Sequence, residues 1–289
     1  MRLEDEQESS NVEDGRRSGG GMGRAGGVGI GTVVIALVAS YFLGIDPSTI
    51  LNLGQAVQGQ SSSAPSQPID PATDPDAALK KEMSKVLHST ETTWSKIFAD
   101  GGSQYQKPKL HLYSGQTSTA CGSGQAAMGP FYCPGDEKVY LDMAFFREME
   151  TRFRAGGDFA RAYVIAHEIG HHVQKLTGIT DKTDAMRQRL SEKEYNKISV
   201  RVELQADCFA GTWANQANKA KSFLDPGDVD EALKAANAIG DDMLQKQSRG
   251  VVVPDSFTHG SSAQRIRWFK TGFEAGSLKA CDTFAARDL

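Results

Sequence analysis

The sequence predicts an α+β domain that is mostly helical and contains one small sheet. Two observations support this class. After residue 78, apolar residues recur at helical spacing in several segments. Between residues 107 and 142, short strand-like pieces are separated by turn residues. The net charge of −4 and the absence of a basic stripe argue against nucleic-acid binding.

The first 78 residues differ in composition from the rest of the chain. Residues 1–26 are Gly-rich and charged, which predicts disorder. Residues 27–45 carry no charge and are just long enough for one transmembrane helix. Arginines precede this run and none follows it closely, so the N-terminus is expected in the cytoplasm and the domain outside it. Residues 46–78, rich in Pro and Ser, predict a flexible stalk.

A cleaved signal peptide is the alternative to this single-pass anchor. The apolar run is long for a signal peptide, and no convincing small-x-small cleavage site follows it. An uncleaved anchor is therefore the preferred interpretation.

The remaining elements lie in residues 79–289, a stretch of about 210 residues that is ample for a single core. Periodicity predicts helices over residues 79–98, 143–155, 158–177, 191–220, 228–247 and 262–275. Strands are predicted at residues 110–113, 129–132 and 139–142. A turn at residues 134–137 joins the last two strands into a hairpin.

The helix predicted over 158–177 carries the pattern His167-Glu168-Ile169-Gly170-His171. Positions i and i+4 share one helix face, so both imidazoles can reach one zinc ion. Glu168 lies about 100° round the helix, from where it can approach a water without binding the metal. The pattern arises by chance in on the order of one chain in a hundred of this length. The alternative is a helix with two hydrogen-bonded core histidines and an unrelated Glu.

A third zinc ligand is expected on the helix predicted over 191–220. Glu203 and Asp207 lie on one face of it, so Glu203 can bind the metal while Asp207 accepts the free N–H of a ligating imidazole. The competing pattern with a third His fails, because Gln174 and Thr177 occupy its Gly and His positions. The alternative for the two carboxylates is a solvated helix face.

Three further polar residues bear on the site. His259 is predicted to donate to an oxyanion, and Arg265 to hold a carboxylate of the site or of the substrate. The alternative is a loop His and a surface Arg. His172 is five residues from His167, off the ligand face, and is expected to pack or to lie at the surface.

The four cysteines fit a domain in an oxidising compartment. An even count suggests two disulfides, most simply Cys121–Cys133 and Cys208–Cys281, although three pairings are possible. None of the cysteines has the spacing of a zinc knuckle.

The chain resembles the putative neutral zinc metallopeptidase family of membrane-anchored bacterial proteins. The matching segments span most of the chain and are residues 10–14, 16–17, 131–134, 139–142, 166–174, 203–208, 259–262 and 265. The resemblance implies a zincin-like fold and peptidase activity. In more distantly similar membrane-linked zinc peptidases, a His-Pro element and an Arg six residues later stand in the place of His259 and Arg265. Gly260 stands here where those proteins have Pro.

These patterns together predict a membrane-anchored zinc metallopeptidase that acts on peptide or protein substrates. His167, His171 and Glu203 would hold Zn²⁺ with a water in the fourth position, and Glu168 would take a proton from that water. One of the predicted strands could pair with the substrate. Two alternatives stay open. One is a zinc-stabilised envelope binding or assembly module with little proteolysis, and the other is a cell-wall amidase with the same metal chemistry.

Overall fold

The computed structural model describes residues 1–18, 67–70, 72–125 and 129–289. The chain divides into two compact units. The first consists of Met1–Gly15 and Pro75–Leu289, and the second of Arg16–Asp74. The transmembrane helix predicted at residues 27–45 lies outside the described residues, as do residues 46–66 and 71 of the predicted stalk. Within the described ranges, no helix combines the length and the apolar character needed to span a membrane.

The strands are short. They are β1 (Val12–Asp14), β2 (Arg17–Ser18), β3 (Gln67–Pro68), β4 (Lys109–Tyr113), β5 (Gln116–Thr119), β6 (Gly122–Gln125), β7 (Phe131–Cys133) and β8 (Lys138–Asp142). In the second unit, β2 pairs with β3, and Arg16 forms a 2.6 Å ion pair with Asp74.

A four-stranded sheet in the order β1-β4-β8-β7 forms the β part of the first unit. β1 and β4 are parallel, β4 and β8 are parallel, and β7 runs antiparallel to β8. The predicted hairpin is therefore confirmed as β7 and β8. Val139, Tyr140 and Leu141 of β8 are all buried, as expected for an inner strand of a covered sheet. β5 and β6 form a separate hairpin that the sequence analysis missed.

Residues 1–15 correct the prediction of a disordered N-terminus. Val12 of β1 is paired with Leu110 of β4. Glu13 accepts hydrogen bonds from Lys109 at 2.6 Å and from Lys138 at 2.7 Å. Composition indicated disorder because the segment is polar, but its charges are matched by partners far along the chain, which composition cannot reveal.

Helices make up most of the first unit, and the predicted α+β class is confirmed. They are α1 (Ala77–Asp100), α2 (Ala144–Thr151), α3 (Asp158–Leu176), α4 (Ile179–Arg187), α5 (Glu192–Lys221), α6 (Asp228–Ala238), α7 (Asp241–Arg249) and α8 (Ser262–Ala275). α4 was not predicted. The single helix expected over 228–247 is two helices, because the chain breaks at Ile239 and Gly240.

The break at Gly240 has a steric reason. A Cβ at this position would lie 2.5 Å from the backbone nitrogen of Ser262 and 2.4 Å from its Oγ. Gly240 therefore permits a close approach to the start of α8. The break also makes Asp241 the first residue of α7, where its carboxylate can bind backbone N–H groups of the loop before α8.

α3 lies at the centre of the core and is buried along most of its length. α5 packs tightly against it at Gly170, where a Cβ would lie 2.9 Å from the carbonyl oxygen of Ala206. Gly170 lies between the two histidines of the α3 motif, and Ala206 lies between Glu203 and Asp207. The close approach of the two helices therefore brings the two predicted motifs together.

Two disulfides support this arrangement, with the pairing that the sequence favoured. Cys121 is bonded to Cys133, which anchors the β5–β6 hairpin region to β7. Cys208 of α5 is bonded to Cys281, which holds the C-terminal segment against the helix that carries Glu203.

Candidate metal centre

The side chains of His167, His171 and Glu203 converge at one point between α3 and α5. One donor atom from each lies within 4.8 Å of the other two. Glu203 Oε2 is 3.1 Å from His167 Nε2, and Glu203 Oε1 is 3.5 Å from His171 Nε2. Two atoms that each lie about 2.0–2.1 Å from a shared tetrahedral zinc ion are separated by roughly 3.3 Å. The distances and the donor chemistry therefore fit Zn²⁺.

The outer nitrogen of His167 is held by Asp207, as predicted. His167 Nδ1 is 2.8 Å from Asp207 Oδ1, and Asp207 is fully buried. Arg265 donates to both oxygens of this carboxylate, from Nε to Oδ2 and from Nη2 to Oδ1, each at 2.9 Å. Tyr163, which the sequence analysis did not single out, donates its hydroxyl to Oδ1 at 2.5 Å. The buried carboxylate thus has a counterion and several hydrogen bonds.

Charge around Asp207 sets its protonation state. Burial raises the pKa of the Asp207 carboxyl, but the charges and hydrogen bonds of Arg265 and His167 together outweigh burial and hold that pKa at about 2. Asp207 is therefore ionised at neutral pH and accepts the Nδ1 hydrogen of His167. Nε2 is therefore the His167 nitrogen that faces the metal position and would bind zinc in the neutral imidazole.

The outer nitrogen of His171 has a different partner, Gln174. Its amide oxygen is 2.9 Å from His171 Nδ1. Sequence reasoning considered Gln174 only as a residue that breaks a rival zinc motif. An i+3 spacing on the same helix face was the signal that could have identified it.

Glu168 lines the same cleft and is 7% exposed. Among the described residues, its carboxylate has no hydrogen-bond partner. Because Glu168 directly follows His167 on α3, its side chain leaves the helix about 100° round from that ligand.

His259 reaches the cleft from the loop before α8, as predicted. Its ring nitrogen Nδ1 lies 3.2 Å from Asp241 Oδ1, and Asp241 Oδ2 accepts the backbone N–H groups of Thr258, His259 and Gly260. Burial opposes protonation of His259, but the negative charges of Glu203 and Asp241 raise its pKa above the ordinary value. Sequence reasoning missed Asp241 because it predicted a continuous helix there.

His172 is not a ligand. It is fully buried and points away from the metal position, with Nε2 2.7 Å from the Gln106 carbonyl oxygen and Nδ1 2.9 Å from the Tyr132 hydroxyl. Its role as a packing residue, one of the two roles predicted for it, is thus borne out by its surroundings. It also holds Tyr132 of β7 at the cleft wall.

The cleft has a volume of about 880 Å³ and is open to solvent beside the candidate ligands. Phe131 and Tyr132 of the edge strand β7 line one wall. The apolar part of its lining includes Phe145, Phe153, Val164, Ile239 and Leu244. Polar residues of α4 also line it.

A second acidic cluster, formed by Asp158, Asp228 and Glu231, lies within the described residues. The amino group of Met1 lies 2.8 Å from Asp158 Oδ2 and 3.1 Å from Asp228 Oδ2. Glu231 accepts the backbone N–H of Phe159 at 3.0 Å. These carboxylates are already paired within the chain, so the cluster gives no reason to assign a metal.

A family model described as "Putative neutral zinc metallopeptidase" matches residues 1–284. The chain belongs to this family. The match covers the ligand positions on both α3 and α5, and also the N-terminal residues that form β1.

Two relatives extend the comparison. The chain is 49% identical over 292 residues to "Uncharacterized protein YpfJ" of Escherichia coli (strain K12), covering 98% of this chain and 99% of that protein. It is 38% identical over 263 residues to "Uncharacterized protein Rv2575" of Mycobacterium tuberculosis (strain ATCC 25618 / H37Rv), covering 86% of each. No solved structure matches the chain significantly.

Proposed function

We propose that this member of the putative neutral zinc metallopeptidase family is an active zinc-dependent peptidase with a zincin-like site. The observation that carries the proposal is the convergence of His167, His171 and Glu203 beside a free Glu168 carboxylate. A purely structural zinc site is closed by four protein ligands. Here the described residues supply three within reach of one another, which leaves a position for water or substrate.

Zinc bound at this site would supply a Lewis acid and lower the pKa of a water molecule to about 7. Glu168 is the base in this scheme, because its carboxylate lies at the cleft and is not engaged elsewhere among the described residues. It takes the proton of the attacking water and returns it to the leaving amine. His259, held by Asp241, donates to the oxyanion that develops on the substrate carbonyl.

The substrate is proposed to be a peptide in extended conformation. β7 is the edge strand on the cleft side of the sheet, and its residues Phe131 and Tyr132 line the cleft wall. An extended peptide can pair with such an edge through main-chain hydrogen bonds. β1 is the other edge strand, but none of its residues lines the cleft, so β7 is the edge placed for this pairing.

The apolar residues that line the cleft support a preference for a bulky apolar side chain next to the scissile bond. Val164 lies one helical turn before His167 on α3 and therefore on the face that carries the ligand. Phe145, Phe153 and Leu244 line the same cleft. Burial of an apolar substrate side chain there contributes binding energy in proportion to the area removed from water.

The disulfides support a location outside the reducing cytoplasm for the domain. The Cys208–Cys281 bond holds the C-terminal segment to the helix that carries Glu203. Oxidising conditions therefore favour the folded site.

The test is peptidase turnover of the full chain on an unfolded casein-like substrate, before and after zinc removal by a chelator. We expect turnover to be lost with the metal and restored by one equivalent of Zn²⁺. One bound zinc with no turnover on casein or on a diverse peptide library would favour the alternative of a zinc-stabilised binding module.

A further inference from the structure

Gln174 is a buried polar residue beside a candidate zinc ligand that the proposed mechanism does not use. It is fully buried on α3, one turn beyond His171, and its amide oxygen is 2.9 Å from His171 Nδ1. We propose that Gln174 is a positioning residue that fixes His171 as a zinc ligand. This inference rests on the zinc site of the proposed function.

The hydrogen bonds of Gln174 determine which way its amide points. Its nitrogen donates to the Val202 carbonyl oxygen at 2.7 Å and to Gln205 Oε1 at 3.1 Å. Both partners are acceptors there, so the NH₂ group must face them and the amide oxygen must face His171. An oxygen at that place accepts a hydrogen from His171 Nδ1. In the neutral imidazole that zinc requires, the unprotonated nitrogen is then Nε2, which lies toward Glu203.

The two zinc-binding imidazoles are therefore oriented by different chemistry. His167 is held by the Asp207 carboxylate, whose charge is balanced by Arg265. His171 is held by a neutral amide, so no further negative charge enters a site that already contains Glu203 and Glu168. An amide can also donate a hydrogen bond to the Val202 carbonyl oxygen, which an ionised carboxylate at position 174 could not do.

The amide chain continues beyond Gln174 to the C-terminal segment. Gln205 donates from Nε2 to the Cys281 carbonyl oxygen at 3.0 Å. Cys281 is bonded to Cys208 on α5. The orientation of His171 is thus supported, through two buried amides, by the segment that the disulfide anchors.

The experiment compares Gln174→Met with the matched control Gln205→Met in the full chain. Both substitutions remove a buried amide of the same chain, but only the first removes the acceptor of His171. Zinc affinity is measured by competition with a chromophoric chelator, and thermal unfolding of the metal-free proteins is measured in parallel. We expect Gln174→Met to weaken zinc binding by about 10–100-fold, and Gln205→Met to weaken it much less at a similar loss of thermal stability.

Wild-type affinity in Gln174→Met, or an equal loss of affinity in both variants, would overturn this role. Because the readout is metal binding, it is independent of turnover. If the wild-type protein bound no zinc, the proposed function itself would fail.

A separate observation concerns the N-terminal segment. Glu91 of α1 is 1% exposed, and its carboxylate accepts hydrogen bonds from the side chains of Ser9 and Asn11, both at 2.8 Å. Removing residues 1–15 would leave this buried carboxylate with Lys107 at 3.3 Å as its remaining described partner. A buried carboxylate that loses hydrogen bonds destabilises the folded state, so removal of residues 1–15 should lower the stability of the domain. Together with the pairing of β1 and β4, these bonds make residues 1–15 part of the domain.

We infer that residues 1–15 and residues 75–289 lie on the same side of any membrane with which the protein associates. A single crossing between them would separate β1 from β4 and Ser9 from Glu91. This inference replaces the expectation of a cytoplasmic N-terminus joined by one span to an external domain.

The test is cysteine labelling in spheroplasts with a membrane-impermeant maleimide, using the full chain. All four native cysteines are in disulfides, so an added cysteine is the reactive one. Glu8→Cys reports on the N-terminal segment and Lys193→Cys on the domain; the replaced side chains are 54% and 60% exposed.

We expect the two variants to behave alike, either both labelled before lysis or both only after lysis. Labelling of both variants before lysis would also agree with a domain outside the cytoplasm. Labelling of both only after lysis would contradict that external location but would still place residues 1–15 and the domain on one side. Labelling of one variant before lysis and the other only after it would overturn the inference.

Discussion

Asp207 Oδ1 lies 2.8 Å from His167 Nδ1, in a position that is fully closed to solvent. The same carboxylate is the counterion of Arg265, which is 2% exposed. One carboxylate therefore performs two tasks. It fixes the orientation of a candidate zinc ligand, and it balances the charge of a buried guanidinium.

Asp207→Asn separates these tasks from mere packing, because it preserves side-chain volume. Loss of the negative charge leaves Arg265 buried without a counterion, so we expect the free energy of unfolding to fall by about 3–5 kcal/mol. Zinc affinity should fall by about 10–100-fold. Denaturant unfolding and chelator competition measure the two effects.

Asp181→Asn is the control for this substitution, since Asp181 is 63% exposed and pairs with Lys175 at the surface. That change should cost less than about 1 kcal/mol. An equally small cost for Asp207→Asn would show that the buried pair does not stabilise the fold as described.

Zinc binding should release protons at neutral pH. Burial opposes protonation of His171, but the charge and hydrogen bond of Glu203, together with Glu168 and Gln174, outweigh burial and raise the pKa of His171 to about 9. The metal-free protein therefore carries a proton on His171 at pH 7, and zinc requires the neutral imidazole. We expect release of about one proton or more per zinc, and affinity that rises by about tenfold per pH unit below pH 9.

Calorimetric titration in buffers of different ionisation enthalpy measures this release. The Glu203 carboxyl should contribute no proton: burial opposes its ionisation, but His171 and its other partners hold its pKa well below the ordinary value. Binding without proton release, or affinity that declines between pH 6 and pH 8, would be inconsistent with these ligands.

Glu13 gives a pH-dependent measure of how firmly the N-terminal strand is attached. Lys109 and Lys138 lower the pKa of its carboxyl to about 2. A lowered native pKa contributes stability above the unfolded pKa of about 4.5, and this contribution is lost as pH falls toward 2. We expect Glu13→Gln to lower the midpoint of thermal unfolding by about 2–4 °C at pH 7.

The difference in the midpoint of thermal unfolding between Glu13→Gln and wild type should be constant from pH 7 to pH 5 and shrink below pH 4.5. Thermal scans at several pH values follow it. A difference that grows as the solution is acidified would mean that the Glu13 ion pairs are not formed.

Peptide selectivity tests the role of the apolar residues that line the cleft. We expect substrates with Leu or Phe beside the scissile bond to exceed those with Asp by about 10–200-fold in kcat/KM, the range for a buried apolar contact. Phe145→Ser should reduce this ratio with little change for small side chains. A preference for acidic residues would contradict apolar recognition of this side chain.

Several features of the site could be predicted because helix geometry determines them. The i, i+4 spacings of His167 with His171 and of Glu203 with Asp207 define faces without knowledge of the tertiary structure. Residues that act through a broken helix or a distant strand could not be found this way. Asp241 depends on the break at Gly240, whose cause is the approach of Ser262. β1 depends on pairing with Leu110, almost one hundred residues away.

The most direct test measures zinc content and casein turnover on the same preparations of wild type and Glu168→Gln. The substitution keeps the side-chain volume and the three ligands but removes the base. We predict one zinc in both proteins and turnover reduced by at least about 100-fold in Glu168→Gln. Full turnover in Glu168→Gln with zinc bound would contradict the account, because Glu168 would then have no part in the chemistry.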